Sequence, residues 1–363
     1  MRHLIFSIIL YLPCLALASC QSSIHSETTV RALTLQLIDS SNTDREKLDQ
    51  IYQYVIHNIN YDREAYQGKK RRLNRSSADV LRRKKAVCWG YAELMREMCT
   101  YANITTMTIT GYAKELPFPA RSFENANHAW NAVKLEGEWF LLDATWDSGL
   151  LNNLDYFRSK YNVDYYLTAP ELFIKNHLPI MPMWQLLDCP VDIQDWKMSS
   201  FDLSANCRFN YEKEIESFLG LSRIERMGKE IELAYELNQS DKNKRLFGHG
   251  LVDIAFEKKE RADSLLGNNE QFLAIELFEA ALQLFEVAED YCSLYDWQEQ
   301  GYLFTRINLA QAYYHEYYED EEQSDFLLQY FEDSKDMIVA SKLHQELKFH
   351  TYDLIDSYVK VFK

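Results

Sequence analysis

Three side chains in this sequence could together carry out acyl chemistry: Cys88, His128 and Asp143. Cys88 falls where a helix should begin, since Tyr91, Leu94, Met95, Met98 and Tyr101 recur behind it at helical spacing. Unpaired backbone N–H groups and the dipole at a helix start stabilise a thiolate, and the same amides can receive a developing oxyanion. His128 opens one arm of a hairpin, 128–135, and Asp143 closes the other, 138–143, across the two-residue turn Glu136-Gly137. That turn sets His128 opposite Thr145 and Trp130 opposite Asp143, so His128 and Asp143 are diagonal neighbours on one face, within side-chain reach. An Asp accepting from one ring nitrogen fixes the tautomer and leaves the other nitrogen to take the thiol proton. The same spacing also fits a buried structural cysteine beside a surface His and Asp. Spacing alone leaves both open.

The elements that must position these residues are legible on either side. Thr43-Asp44-Arg45-Glu46 reads as a capping box, followed by Leu48, Ile51, Tyr52, Val55 and Ile59 at helical period up to Asn60. Ser76 or Ser77 can cap a short helix through Leu81, and from Thr105 the chain turns β-branched and alternating until Gly111. Residues 150–207 are aromatic and Pro-punctuated, and are expected to wrap this domain with little regular structure. After Tyr211 the texture is helical, with 269–289 and 301–318 as arms of helical hairpins. Their Ala/Leu/Tyr content resembles tetratricopeptide repeats, although turns near Gly267 and Glu319 do not keep the ~34-residue period of that family.

The 363 residues are 47% hydrophobic and 14% aromatic, enough to bury a substantial core and to exclude wholesale disorder. The net charge of −16 is unevenly placed: residues 211–363 hold 32 acidic and 16 basic side chains, whereas 1–210 hold 23 of each. The acidic half would repel a nucleic-acid backbone, so nucleic acid is not an expected partner. Nine Lys and Arg between Lys69 and Lys85 crowd the approach to Cys88, as a solvated loop or as a dock for something anionic. At the N-terminus, Met1-Arg2-His3, an apolar run to Ala18 and Ser19-Cys20 make a signal peptide over 1–19. Leu17-Ala18-Ser19-Cys20 resembles the bacterial lipobox, so Cys20 is the expected lipidation site and the chain a membrane-anchored protein of the cell envelope. Five cysteines then remain, with Cys189 and Cys207 the one pair close enough for a local disulfide. The absence of CxxC or His-Cys clusters gives no expectation of a metal or other cofactor.

Val87-Cys88-Trp89-Gly90-Tyr91, His128-Ala129-Trp130-Asn131-Ala132-Val133 and Leu142-Asp143-Ala144-Thr145-Trp146-Asp147 resemble the three signature blocks of the transglutaminase-like superfamily. Tyr166-Leu167-Thr168-Ala169-Pro170 and His177-Leu178-Pro179 resemble the branch that includes kyphoscoliosis peptidase and cytokinesis-associated transglutaminase-like domains. The resemblance covers roughly 45–190. It implies an α+β papain/transglutaminase-like core, with Cys88 as nucleophile, His128 as base and Asp143 as its orienting acid. It also implies acyl transfer or hydrolysis on amide bonds of a peptide or protein through a thioester. The bulky Trp89 departs from the pattern and, with Trp130, is a candidate substrate contact. The alternative is a catalytically silent, lipid-anchored binding module, which Trp130, Trp139 and Trp146, expected to be exposed, would suit. The expected domains are a lipidated tether over 20–42, the transglutaminase-like domain over 43–207, and an acidic all-α helical-hairpin domain over 208–363 that could hold a protein partner.

Overall fold

The computed structural model describes residues 29–39, 42–66, 76–114, 123, 126–148, 165–203, 207–318, 320, 322–341, 343 and 345–362. The signal segment, Cys20 and the basic stretch Lys69 to Arg75 lie outside the described residues. The chain divides into two compact units, 1–216 and 217–363.

In the first unit, helix α1 (29–37) already belongs to the core: Val30 is buried, and Leu33, Leu37 and Ile38 pack against the same cluster. A tether reaching to residue 42 is therefore too long, because this apolar face finds a partner. Thr43 caps α2 (Asp44–Asn58) with the full capping box, and Leu48, Ile51, Tyr52 and Val55 are its buried stripe. Two short parallel strands, β1 (Asn60–Tyr61) and β2 (Lys85–Ala86), flank α3 (Arg63–Tyr66) and the Ser76-capped α4 (Ser77–Arg83). Helix α5 (Cys88–Tyr101) follows β2 and buries Tyr91, Leu94, Met95 and Met98.

Beside α5 lies a four-stranded antiparallel sheet of β3 (Thr106–Ala113), β4 (His128–Leu135), β5 (Glu138–Leu142) and β6 (His177–Pro179), ordered β5-β4-β3-β6. The β4–β5 hairpin turns on Glu136 (φ 53°) and Gly137 (φ 95°), a pair of positive angles that matches the twist of the flanking strands. Asn131 pairs with Leu142 and Leu135 with Glu138, the register expected from that turn. The pairing stops at Leu142, because Asp143 leaves the strand to cap α6 (Ala144–Asp147). His128 thus faces Gly111 on β3 rather than Thr145. Gly111 also pairs with Pro179, and a Cβ there would strike the Trp130 ring and the Leu178 carbonyl. Only glycine lets β6 close on β3 at that point.

The Pro-punctuated stretch is more regular than its composition suggests. It supplies α7 (Pro170–Phe173), β6, a 3-10 turn over Pro182–Gln185 and α8 (Ile193–Met198). Backbone pairing to β3 organises it where side-chain periodicity gives no signal. A disulfide joins Cys189 to Cys207, with Cα atoms 4.8 Å apart, and leaves Cys88, Cys99 and Cys292 as thiols.

The second unit is helical. Helix α9 (Tyr211–Leu219) spans the division between units. It is followed by α10 (Arg223–Leu237), α11 (Asp241–Gly267), α12 (Gln271–Glu289), α13 (Asp296–Tyr317), α14 (Ser324–Ala340) and α15 (Gln345–Phe362). Consecutive helices from α10 to α15 pack on one another. The apolar faces of α11 to α15 meet in a core that includes Phe278, Leu309, Phe331 and Ile355. No helix among the described residues is long and apolar enough to cross a membrane.

Candidate active site

Cys88 is the first residue of α5, and its position is set by what precedes it. Strand β2 is held to β1 by Asn60 N–H donating to the Lys84 carbonyl and Asp62 N–H donating to the Ala86 carbonyl, both at 2.8 Å. Arg83 donates to Asp62 at 2.7 Å and to Asp79 at 3.3 Å, tying α4 to this short sheet. Arg82 also donates to Asp79, so two of the basic residues near Cys88 are engaged by carboxylates and serve the lead-in to the helix. At Gly90 a Cβ would lie 2.8 Å from that of Ala86, which is how β2 and the first turn of α5 pack so closely.

His128 is the first residue of β4. Its Nε2 lies 2.6 Å from Asp143 Oδ2, and the Cys88 thiol is near enough to the ring to act on its titration. With Nε2 donating to the carboxylate, Nδ1 is the nitrogen left for the thiol. Burial alone would push the pKa of His128 down. The Asp143 carboxylate outweighs it through charge and hydrogen bond, Cys88 adds to that, and the ring is pushed up to about 10. A cationic imidazole is thus favoured beside the thiol.

Asp143 is 1% exposed and every face of its carboxylate is used. Oδ1 accepts from Thr145 N–H at 2.8 Å and Trp146 N–H at 3.3 Å, the N-cap pattern that fixes its rotamer. Oδ2 accepts from His128. Burial raises its pKa, but His128 and then His177 draw it the other way, well below the usual carboxylate range. Asp147, four residues on, accepts instead from the Tyr52 hydroxyl at 2.7 Å and Tyr165 N–H at 3.1 Å, inside the core.

Sequence reasoning does not single out His177 as a site residue. It sits on β6, is fully buried, and places Nε2 3.2 Å from Asp143 Oδ2 and Nδ1 2.7 Å from the Asn176 side-chain amide. Burial dominates its titration, and although Asp143 opposes this, its pKa is pulled down to about 4. The available signal is its place in the His177-Leu178-Pro179 block, which a short packed strand explains just as readily. Tyr61 is a second addition: burial and then the neighbouring Cys88 raise its hydroxyl pKa, so the phenol beside the thiol keeps its proton.

The tryptophans divide. Trp89 is half-buried immediately after Cys88. Trp130, expected to face a substrate, is 1% exposed and packs its ring against those of His128, Phe173 and His177. Trp146 is buried too, whereas Trp139 retains partial exposure. Strand β4 is covered on both faces, so alternation along it does not lead to solvent. Among the described residues, His128, Asp143 and His177 also form one group whose ligand atoms lie within 4.8 Å of one another, close enough to hold a metal ion. Their contacts here are hydrogen bonds of 2.6 and 3.2 Å, and a cation would have to displace those protons.

A helix-borne thiol, a strand-borne imidazole and a buried carboxylate in this order are accompanied by a match over residues 31–144 to the family described as the transglutaminase-like superfamily. Residues 31–144 carry a transglutaminase-like superfamily domain. Kyphoscoliosis peptidase of Homo sapiens is 37% identical over 186 residues, covering 50% of this chain and 28% of that protein. Hillarin of Drosophila melanogaster is 27% identical over 201 residues, covering 50% of this chain and 24% of its own length. A LIM and transglutaminase domain protein of Caenorhabditis elegans is 28% identical over 134 residues, covering 33% and 18%. The aligned part therefore spans less than a third of each of these relatives. The transglutaminase-like domain is followed here by the helical unit.

Proposed function

We propose that this protein carries out cysteine-dependent acyl transfer on amide bonds of a peptide or protein. Cys88 passes its proton to His128 Nδ1 and the thiolate attacks the amide carbonyl. The tetrahedral oxyanion is received by backbone amides at the start of α5, and the His128 imidazolium donates its proton to the leaving amine. The resulting thioester goes to water, as in a peptidase, or to a second amine, as in a transglutaminase. The observation that carries this is the buried imidazole held 2.6 Å from the Asp143 carboxylate, with the helix-opening thiol near enough to act on its titration. The peptidase relative named above favours hydrolysis. Mixing the protein with a p-nitrophenyl ester of an N-acyl amino acid should release one burst of nitrophenol per chain and leave the acyl group on Cys88 by mass spectrometry. His128→Ala should abolish both. A parent with no burst would hand the case to a silent binding module.

We also propose that the protein is lipid-anchored through Cys20 on the outer side of a bacterial cytoplasmic or outer membrane, with the acidic helical unit free to hold a partner. The Cys189–Cys207 disulfide supports an oxidising compartment. Cys20→Ser should move the protein from the membrane to the soluble fraction and remove a metabolically incorporated fatty-acid label. Unchanged retention would end this proposal.

A further inference from the structure

The Asp143 carboxylate receives two imidazoles on one oxygen. His128 Nε2 lies 2.6 Å and His177 Nε2 3.2 Å from Oδ2, while Oδ1 is committed to the Thr145 and Trp146 amides. An ionised carboxylate offers about four acceptor sites, and here all four have donors. Because Oδ2 is an acceptor, His177 must present a proton on Nε2. A neutral His177 then carries a lone pair on Nδ1, which needs a donor at 2.7 Å. The Asn176 side chain is in place to provide it. The structure sets Asn176 Oδ1 2.7 Å from Nδ1 and Asn176 Nδ2 2.7 Å from the Tyr165 hydroxyl; exchanging the amide's oxygen and nitrogen, which leaves its shape unchanged, gives every contact one donor and one acceptor. The series runs Tyr165 O–H to Asn176, Asn176 N–H to His177 Nδ1, and His177 Nε2–H to Asp143. Around it stand the rings of Phe173, Trp130, Trp146 and Tyr165, with His128 and Asp143 the ionisable groups directly against the His177 ring. One step behind, Asp147 and Tyr52 face the Tyr165 backbone.

We propose that His177 is a positioning residue for the acyl-transfer site, a neutral imidazole whose fixed tautomer pins Oδ2 of Asp143 toward His128. This rests on the proposed acyl-transfer function. Without His177, Oδ2 keeps a single donor and one acceptor site of a buried carboxylate goes unpaired, an arrangement that favours rotation or protonation of the group. Either outcome weakens the support that Asp143 gives to the His128 imidazolium. His177 does not touch the thiol; it acts through Asp143.

The test uses the full chain and needs no substrate. Iodoacetate, an anion, alkylates Cys88 fastest while His128 is cationic, so the alkaline fall in its rate reports loss of the imidazolium. His177→Phe keeps a flat ring among the aromatics but removes the donor. Its alkaline limb should move down by about one pH unit, equivalent to about a tenfold loss of rate at a fixed pH on that limb. His177→Gln, whose amide can replace the Nε2–H, should restore the parent profile. If His177→Phe does not fold by near-ultraviolet circular dichroism, His177→Asn, one carbon too short to reach Oδ2, takes its place. A folded donor-less variant with the parent profile overturns the proposal, as does a limb displaced upward or a His177→Gln no better than the donor-less variant. Failure of the acyl-transfer function itself looks different: the parent would show one thiol titration with no alkaline fall.

Discussion

Replacing Asp143 by Asn isolates the carboxylate's charge from its structural duty. The cap survives, because Asn accepts at a helix N-terminus as well as Asp, and its Oδ1 can keep the Thr145 and Trp146 amides at 2.8 and 3.3 Å. That choice turns the NH2 group toward the two imidazoles that now face Oδ2. His128 must then offer a lone pair at Nε2 and carry its proton on Nδ1, where it confronts the thiol instead of receiving a proton from it. In the parent, Asp143 is the chief reason the ring is lifted from 6.5 to about 10 despite burial, a difference worth about 5 kcal/mol in favour of the imidazolium. Losing half of that together with the correct tautomer implies a fall in acylation rate on the order of 10^3-fold or more. The measurement is single-turnover acylation of Cys88 by an N-acyl amino acid p-nitrophenyl ester, read by mass spectrometry, with thermal unfolding recorded on the same samples. An Asp143→Asn protein that is folded and acylates within tenfold of the parent would refute the relay.

Asp147→Ala should do the reverse. Tyr165 N–H loses its acceptor while the Tyr52 hydroxyl retains carbonyl acceptors on Asp143 and Tyr165, so stability should drop by about 2–3 kcal/mol with Cys88 acylation close to parental below the melting temperature; a larger effect on acylation than on denaturant midpoint would contradict it. His177 gives stability a pH dependence of definite sign. A histidine held neutral, with its pKa lowered from 6.5 to about 4, contributes stability that is present above pH ~6.5 and is lost as pH falls toward 4, because the unfolded chain takes up the proton first. Urea midpoints across that window should decline less steeply in His177→Phe than in the parent, and equal slopes would count against a neutral His177. His128 works oppositely: its contribution is complete below pH ~6.5 and fades as pH rises through about 10.

Much of this site is open to sequence reasoning because local rules set it. The Cys88 helix follows from its apolar stripe, and the hairpin register from Glu136-Gly137. Strand and cap are harder to separate: parity places Asp143 near His128, yet it reaches His128 from the N-cap of α6, because its own side chain bonds the next two amides. Trp130 escapes such reasoning because alternation identifies a face but not what covers it, and β4 is covered twice. His177 lies 34 residues beyond Asp143 on a three-residue strand, and it is brought in by β6 pairing with β3. So short a strand carries no periodicity, and contacts made across a sheet edge leave no trace in local spacing.

Asn131 sits between the two elements that carry the thiol and the imidazole. From β4 its amide donates to the Ala92 carbonyl on α5 at 2.9 Å and to the Met107 carbonyl on β3 at 3.2 Å. Apolar contacts tolerate small sliding of a helix over a sheet, whereas a buried amide that grips one carbonyl on each side permits none without leaving donors bare. Helix, sheet and the gap between Cys88 and His128 therefore behave as one rigid block. The spacing of thiol and imidazole is set before anything arrives.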